Sequence, residues 1–125
     1  MSCHILLVDD DPVLLDALSQ TLKLRMEAVV DTCGSSFDAL QRVSTQNYDA
    51  VISDITMPHM DGMTLVTKIH EIRPKTPTIL ISGNPDRDTA KKAVDSGAYV
   101  FIEKPIDRER FIASVKRAVE THRPA

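Results

Sequence analysis

No stretch of this 125-residue chain stays apolar for long: the first such run, Ile5-Leu6-Leu7-Val8, meets three aspartates after four residues. A membrane helix needs about 20 apolar residues, and a secretory signal needs a longer apolar centre than this. The expectation is a cytoplasmic protein with no membrane contact. Positive charge is not in excess either, with 15 Lys and Arg against 18 Asp and Glu and a net charge of −3. No basic face for nucleic acid is therefore evident, and direct nucleic acid binding by this chain is not expected. Cysteine is scarce: Cys3 and Cys33 lie far apart, outside any CxxC or Cys/His cluster. Both read as reduced, small apolar residues without a redox role. None of the seven prolines falls inside a proposed strand or helix, and no long linker, low-complexity tract or domain-scale repeat occurs. The expectation is one domain over residues 1–125, with no effector domain in the chain. A chain of this length buries roughly two thirds of the surface its unfolded form exposes.

What is present is an alternation. Five short runs suit strands: His4 to Val8, Ala28 to Cys33, Tyr48 to Ser53, Thr78 to Ser82 and Tyr99 to Ile102. Most are rich in Val, Ile and Leu without polar alternation, as parallel strands covered on both faces are. Each is followed by a stretch with helical spacing. Leu14, Leu18 and Leu22 form one apolar stripe, Leu65, Ile69 and Ile72 another, and Phe111, Val115, Ala118 and Val119 a third. Asp11 with Pro12, and Asn84 with Pro85, have the chemistry to begin helices one and four, the latter spanning Asp86 to Ser96 and ending at Gly97. The fourth helix carries only Ala90, Ala93 and Val94 as its apolar stripe, so it should be the most weakly held. The fold class is α/β, a (βα)₅ domain on an open parallel sheet. Periodicity does not give the strand order.

Chemistry-bearing residues gather at the carboxyl ends of these strands, where open α/β sheets build their sites. Asp9, Asp10 and Asp11 follow strand one, Asp54 follows strand three, Ser82 ends strand four and Lys104 follows strand five. Taken singly each is ordinary: an acidic run caps a helix, a strand-end carboxylate is solvated, a lysine lies on the surface, a serine turns the chain. All four together at strand ends in so short a chain are not easily accidental.

The segments Val8-Asp9-Asp10-Asp11-Pro12, Asp54-Ile55-Thr56-Met57-Pro58-His59-Met60-Asp61-Gly62, Ile81-Ser82-Gly83 and Glu103-Lys104-Pro105 resemble, in order, the four signature segments of response-regulator receiver domains. The second is the most specific, and the resemblance spans the whole chain. It implies a flavodoxin-like fold of strand order 2-1-3-4-5, with Asp9, Asp10 and Asp54 in one pocket. Carboxylates about 5 Å apart repel by roughly 3 kcal/mol per pair at an effective dielectric near 20, so such a pocket calls for a cation. Oxygen ligands select a hard ion, Mg²⁺ or Mn²⁺.

By the resemblance, Asp54 is the phospho-acceptor, Asp10 and Asp54 ligate the metal directly, Asp9 acts mainly through water, and Thr56 contributes its backbone carbonyl. Lys104 and Ser82 hold phosphoryl oxygens, Gly83 keeps the approach open, and Pro105 follows a cis peptide that aims the lysine inward. Phe101 is the switch aromatic, and Thr56 and Asn84 flank the path of attacking water. The implied donor is a sensor histidine kinase or a histidine phosphotransfer protein. The implied output is a downstream effector protein or domain, or a phosphorylation-dependent dimer, reached through the surface of helix four, strand five and helix five. The run Phe101-Ile102-Glu103-Lys104-Pro105 resembles receivers of the nitrogen-fixation regulator type.

Met57, Met60 and Met63 read as plugs holding the loop onto the core. His59 is a poor ligand for a metal that prefers oxygen, and Pro58 and Asp61-Gly62 read as turn formers. Two rival readings compete. A haloacid-dehalogenase-like phosphatase would place its nucleophile after strand one, leaving Asp54 unexplained. An FMN-binding flavodoxin needs donors for a phosphate in the first loop, where this chain has three aspartates.

Overall fold

The computed structural model describes residues 3–83 and 87–122. Strands and helices alternate: β1 Cys3–Val8, α1 Pro12–Arg25, β2 Ala28–Cys33, α2 Ser36–Thr45, β3 Ala50–Asp54, α3 Gly62–Ile72, β4 Thr78–Ser82, α4 Arg87–Asp95, β5 Val100–Glu103 and α5 Arg108–His122. The strands form one parallel sheet in the order β2-β1-β3-β4-β5, as the resemblance implied. None of these helices is long and apolar enough to cross a membrane.

Successive strand residues point to opposite faces, so an all-apolar strand must be covered on both. Ile5, Leu7, Ile52, Ile79 and Ile81 meet Leu18 and Leu22 of α1 and Phe111 and Val115 of α5. Leu6, Val8 and Val51 meet Val43 of α2 and Leu65 and Ile69 of α3. Every residue of β3 and β4 is buried, whereas the terminal strands β2 and β5 are mostly half-exposed.

Local chemistry explains the helix starts. Asp11 accepts the N–H groups of Val13 and Leu14, with Pro12 at the first helical position. Ser35 caps α2 by accepting Asp38 N–H. Asp61 and Gly62, expected to form a turn, are instead the cap and first residue of α3: Asp61 accepts Thr64 N–H at 2.8 Å. A Cβ at Gly62 would collide with the Asp54 carbonyl oxygen and lie 3.0 Å from Ile55 Cα. Asn84 and Pro85, expected to start α4, and Asp86 lie outside the described residues.

Gly97 ends α4 in the left-handed conformation, φ 101°, with its N–H donating to Val94 O. The His70 ring of α3 lies against it, so a Cβ there would sit 2.6 Å from Nδ1. Two expected stripes are narrower than read: Ile72 is exposed, and in α4 Val94 is 65% exposed, leaving buried Ala93 and half-buried Ala90. On the edge strand β2, Asp31 turns inward. Its Oδ2 takes His4 Nε2 and the Tyr48 hydroxyl, each at 2.8 Å, with Arg42 Nη1 at 3.9 Å.

Candidate functional site

Asp54 is the last residue of the buried central strand, not the residue after it, because Ile55 N–H still donates to Ile81 O at 2.9 Å and carries the ladder one step further. Its backbone is fixed on several sides. The Ser53 hydroxyl donates to Asp54 O at 2.9 Å, Gly62 N–H donates to Ile55 O at 2.8 Å, and Gly62 itself packs on the Asp54 carbonyl. The sequence reading missed Gly62 as a site residue, although the Asp61-Gly62 pair was its visible signal. It also missed Ser36, whose buried hydroxyl donates to Met60 O at 2.8 Å and ties the loop after β3 to α2; nothing in the sequence marked it. Met57 and Met60 are buried in the α2–α3 core, as expected of plugs, while Met63 is half-buried against Ile55, Val66 and Leu80. His59 is exposed with a positive φ of 72°.

Beside Asp54 stand the aspartates that follow β1. Asp9 is buried and its Oδ1 accepts Asp11 N–H at 2.9 Å; Asp10 is exposed. Oxygens of Asp9, Asp10 and Asp54 all lie within 4.8 Å of one another. Burial pushes the Asp9 carboxyl up to about 6 against the pull of the Asp11 N–H, and the negative charge of Asp54 adds to the rise while Lys104 opposes it. Asp11 caps α1 and stands apart from this cluster, as expected.

Lys104 closes the pocket from the β5 side, its Nζ 3.4 Å from Asp54 Oδ2. Its backbone N–H donates to Ser82 O at 2.8 Å, and the Lys104–Pro105 peptide is cis. Ser82 is buried at the end of β4, Gly83 and Thr56 are exposed, and a Cβ at Gly83 would touch Lys104 Cδ at 3.4 Å. Phe101 is half-buried against the small core of Ile55, Val66, Leu80 and Ala93. Asn84 lies outside the described residues. Three carboxylates thus face one ammonium, and an all-oxygen donor set of this charge fits a hard divalent cation such as Mg²⁺ or Mn²⁺.

Residues 5–116 match the family described as the response regulator receiver domain. The chain belongs to that family. The receiver is 41% identical over 119 residues to the C4-dicarboxylate transport transcriptional regulatory protein DctD of Rhizobium meliloti, covering 95% of this chain and 26% of that protein. With DctD of Pseudomonas aeruginosa it shares 43% identity over 125 residues, covering 96% of this chain and 26% of the relative. It therefore spans about a quarter of the length of these curated relatives. Among solved structures, the signal receiver domain of an HD domain-containing protein from Pseudomonas fluorescens superposes with a TM-score of 0.92 at 32% identity, covering 100% of both chains. The solution structure of the beryllofluoride-activated NtrC4 receiver domain dimer gives 0.89 at 33% identity, covering 95% of this chain and 98% of that one. The receiver is a phosphorelay signalling domain, and these matches give the phosphatase and flavodoxin readings no support.

Proposed function

We propose that this receiver takes a phosphoryl group onto Asp54 from a phosphohistidine of a sensor histidine kinase or a histidine phosphotransfer protein. The observation that carries the reading is the convergence of the Asp9, Asp10 and Asp54 oxygens within 4.8 Å, closed by Lys104 at 3.4 Å. An Asp54 carboxylate oxygen attacks phosphorus, the P–O bond forms as the P–N bond breaks, and the imidazole nitrogen keeps the electron pair and takes up a proton. The Lys104 ammonium, already paired with Asp54, moves its charge onto a phosphoryl oxygen, and the Ser82 hydroxyl donates to another.

Asp10 and Asp54, Asp9 through water, and the Thr56 carbonyl would hold Mg²⁺ or Mn²⁺, which when bound neutralises phosphoryl charge. Gly83 leaves the entry open, Pro105 orients Lys104, and Thr56 with Asn84 borders the path of hydrolytic water. The chain turns over no separate substrate in this reading; it promotes only its own phosphorylation and dephosphorylation. Its setting is cytoplasmic.

Output runs through α4, β5 and α5 to an effector protein or domain, or through a phosphorylation-dependent dimer, with Phe101 turning inward as Ser82 is drawn to the phosphate. Intact-mass measurement after incubation with Mg²⁺ and acetyl phosphate tests the acceptor. One added phosphoryl mass is expected in the wild type and none in Asp54→Asn; equal yield in the variant refutes the assignment.

A further inference from the structure

We infer that Ser36, the first residue of α2 and outside the acidic pocket, is a positioning residue: it fixes the loop after β3 and through that loop sets the affinity of the pocket for Mg²⁺. The inference deepens the reading above and rests on it for the Thr56 carbonyl as one of the metal ligands.

One short turn touches both sides of the pocket. Cys33 to Ser36 join β2 to α2, and Ser35 secures the turn by accepting Asp38 N–H. Cys33 O accepts Asp9 N–H at 3.1 Å, which holds the backbone of the buried carboxylate. Three residues on, the Ser36 hydroxyl donates to Met60 O at 2.8 Å. The turn therefore spaces Asp9 from the loop that carries Thr56.

That loop has a closed base and a pinned tip. At the base, Gly62 N–H donates to Ile55 O at 2.8 Å. Near the tip, Met60 N–H donates to Pro58 O at 2.8 Å, and His59 between them takes a φ of 72°. Met57 and Met60 are buried in the α2–α3 core, and the Met57 thioether lies 3.9 Å from the Ser36 hydroxyl. Thioether burial gives cohesion without direction, because unbranched side chains repack as the loop rises or sinks. The Ser36 bond does have a direction, and with the residue 2% exposed water has little access to replace it. Without that donor the Met60 carbonyl is better placed nearer to solvent, and the loop follows it outward. Mg²⁺ demands an octahedron with ligands at about 2.0–2.1 Å, so a small displacement of one carbonyl is read as lost affinity.

Mg²⁺ titrations of ¹⁵N-labelled protein, followed at the Asp10 and Asp54 amides, test this together with amide exchange in the metal-free protein. In Ser36→Ala the Mg²⁺ dissociation constant should rise about tenfold, as it does when a group that orients a metal ligand is lost. The Gly62 amide should exchange faster by a larger factor than the Val51 amide, which donates to Pro77 O within the sheet. Ser36→Cys keeps the size of the side chain but donates weakly, and should behave as the alanine variant does. Val43→Ala, in the same α2–α3 core, should lower stability and leave the Mg²⁺ dissociation constant unchanged. Wild-type Mg²⁺ uptake that Ser36→Ala or Ser36→Cys leaves unchanged overturns the inference and spares the metal reading. So does an equal loss of affinity in Val43→Ala, or equal acceleration of exchange at Gly62 and Val51. A wild type that takes up no Mg²⁺ overturns both.

Discussion

Gly62 occupies a position that no side chain can share with the Asp54 carbonyl, so the first residue of α3 sets where β3 ends. Gly62→Ala should cost about 1–3 kcal/mol through overpacking and should slow acyl phosphate formation more than tenfold, read by denaturant unfolding and by phosphorylation rate. Asp61→Ala is the contrast: it loses the α3 cap and stability but leaves the acceptor backbone in place. Thr78 is fully buried and its hydroxyl finds no hydrogen-bond partner among the described residues. Thr78→Val keeps the shape and removes the stranded group, so it should raise stability by about 1 kcal/mol, seen as a higher urea midpoint with unchanged slope. Asp31 gives a pH signature. Burial raises its carboxyl, but bonds from Tyr48 and His4 and the nearby charge of Arg42 outweigh that and hold it below the ordinary value of 3.8. A depressed carboxylate stabilises the fold above its unfolded pKa, and that stability is lost as pH falls through the folded one. Wild type should therefore exceed Asp31→Asn in stability at neutral pH, and the gap should close below about pH 3.8 in parallel urea titrations.

At the level of elements, the sequence was most legible where one local cause sufficed. Asp11 and Pro12 begin α1, Gly97 ends α4, and the unbroken Thr78–Ser82 run is β4 residue for residue. It was less legible where a distant partner decides. Tyr48 looked like the start of strand three, yet its hydroxyl goes to Asp31 and pairing with β1 begins at Ala50 with Ile5. Ile72 continues the α3 stripe in sequence but stands at the last residue of the helix and is exposed. The acidic cluster and Lys104 were legible as residues at strand ends; that Asp9 and Asp10 meet Asp54 depends on β1 and β3 being neighbours, which only the family resemblance supplied. The sparse apolar stripe of α4 was readable, and it is sparser still than the sequence implied, since Val94 faces out. Amide exchange should be faster across residues 88–95 than across α3 or α5. Beryllofluoride should change protection there in wild type but not in Ser82→Ala, although that variant still takes phosphate. An equal change in both would refute coupling through Ser82.

Across the whole molecule, burial falls from the centre of the sheet outward. Asp54 ends a strand buried throughout its length, while α4 and β5 stand at the rim with partial cover. In the proposed function, a phosphoryl group taken up at the buried centre is read out on the partly covered margin. The His70 ring pressed against Gly97 sets how that margin can move. Helices here run antiparallel to the strands, so Gly97 lies at the end of α4 remote from the carboxylates, and there the chain is held by both its backbone turn and the ring. A helix held there would turn about its far end. Its nine residues make an arm of about 13 Å, on which a tilt of about 10° sweeps the end nearest Ser82 through about 2 Å while Gly97 hardly stirs.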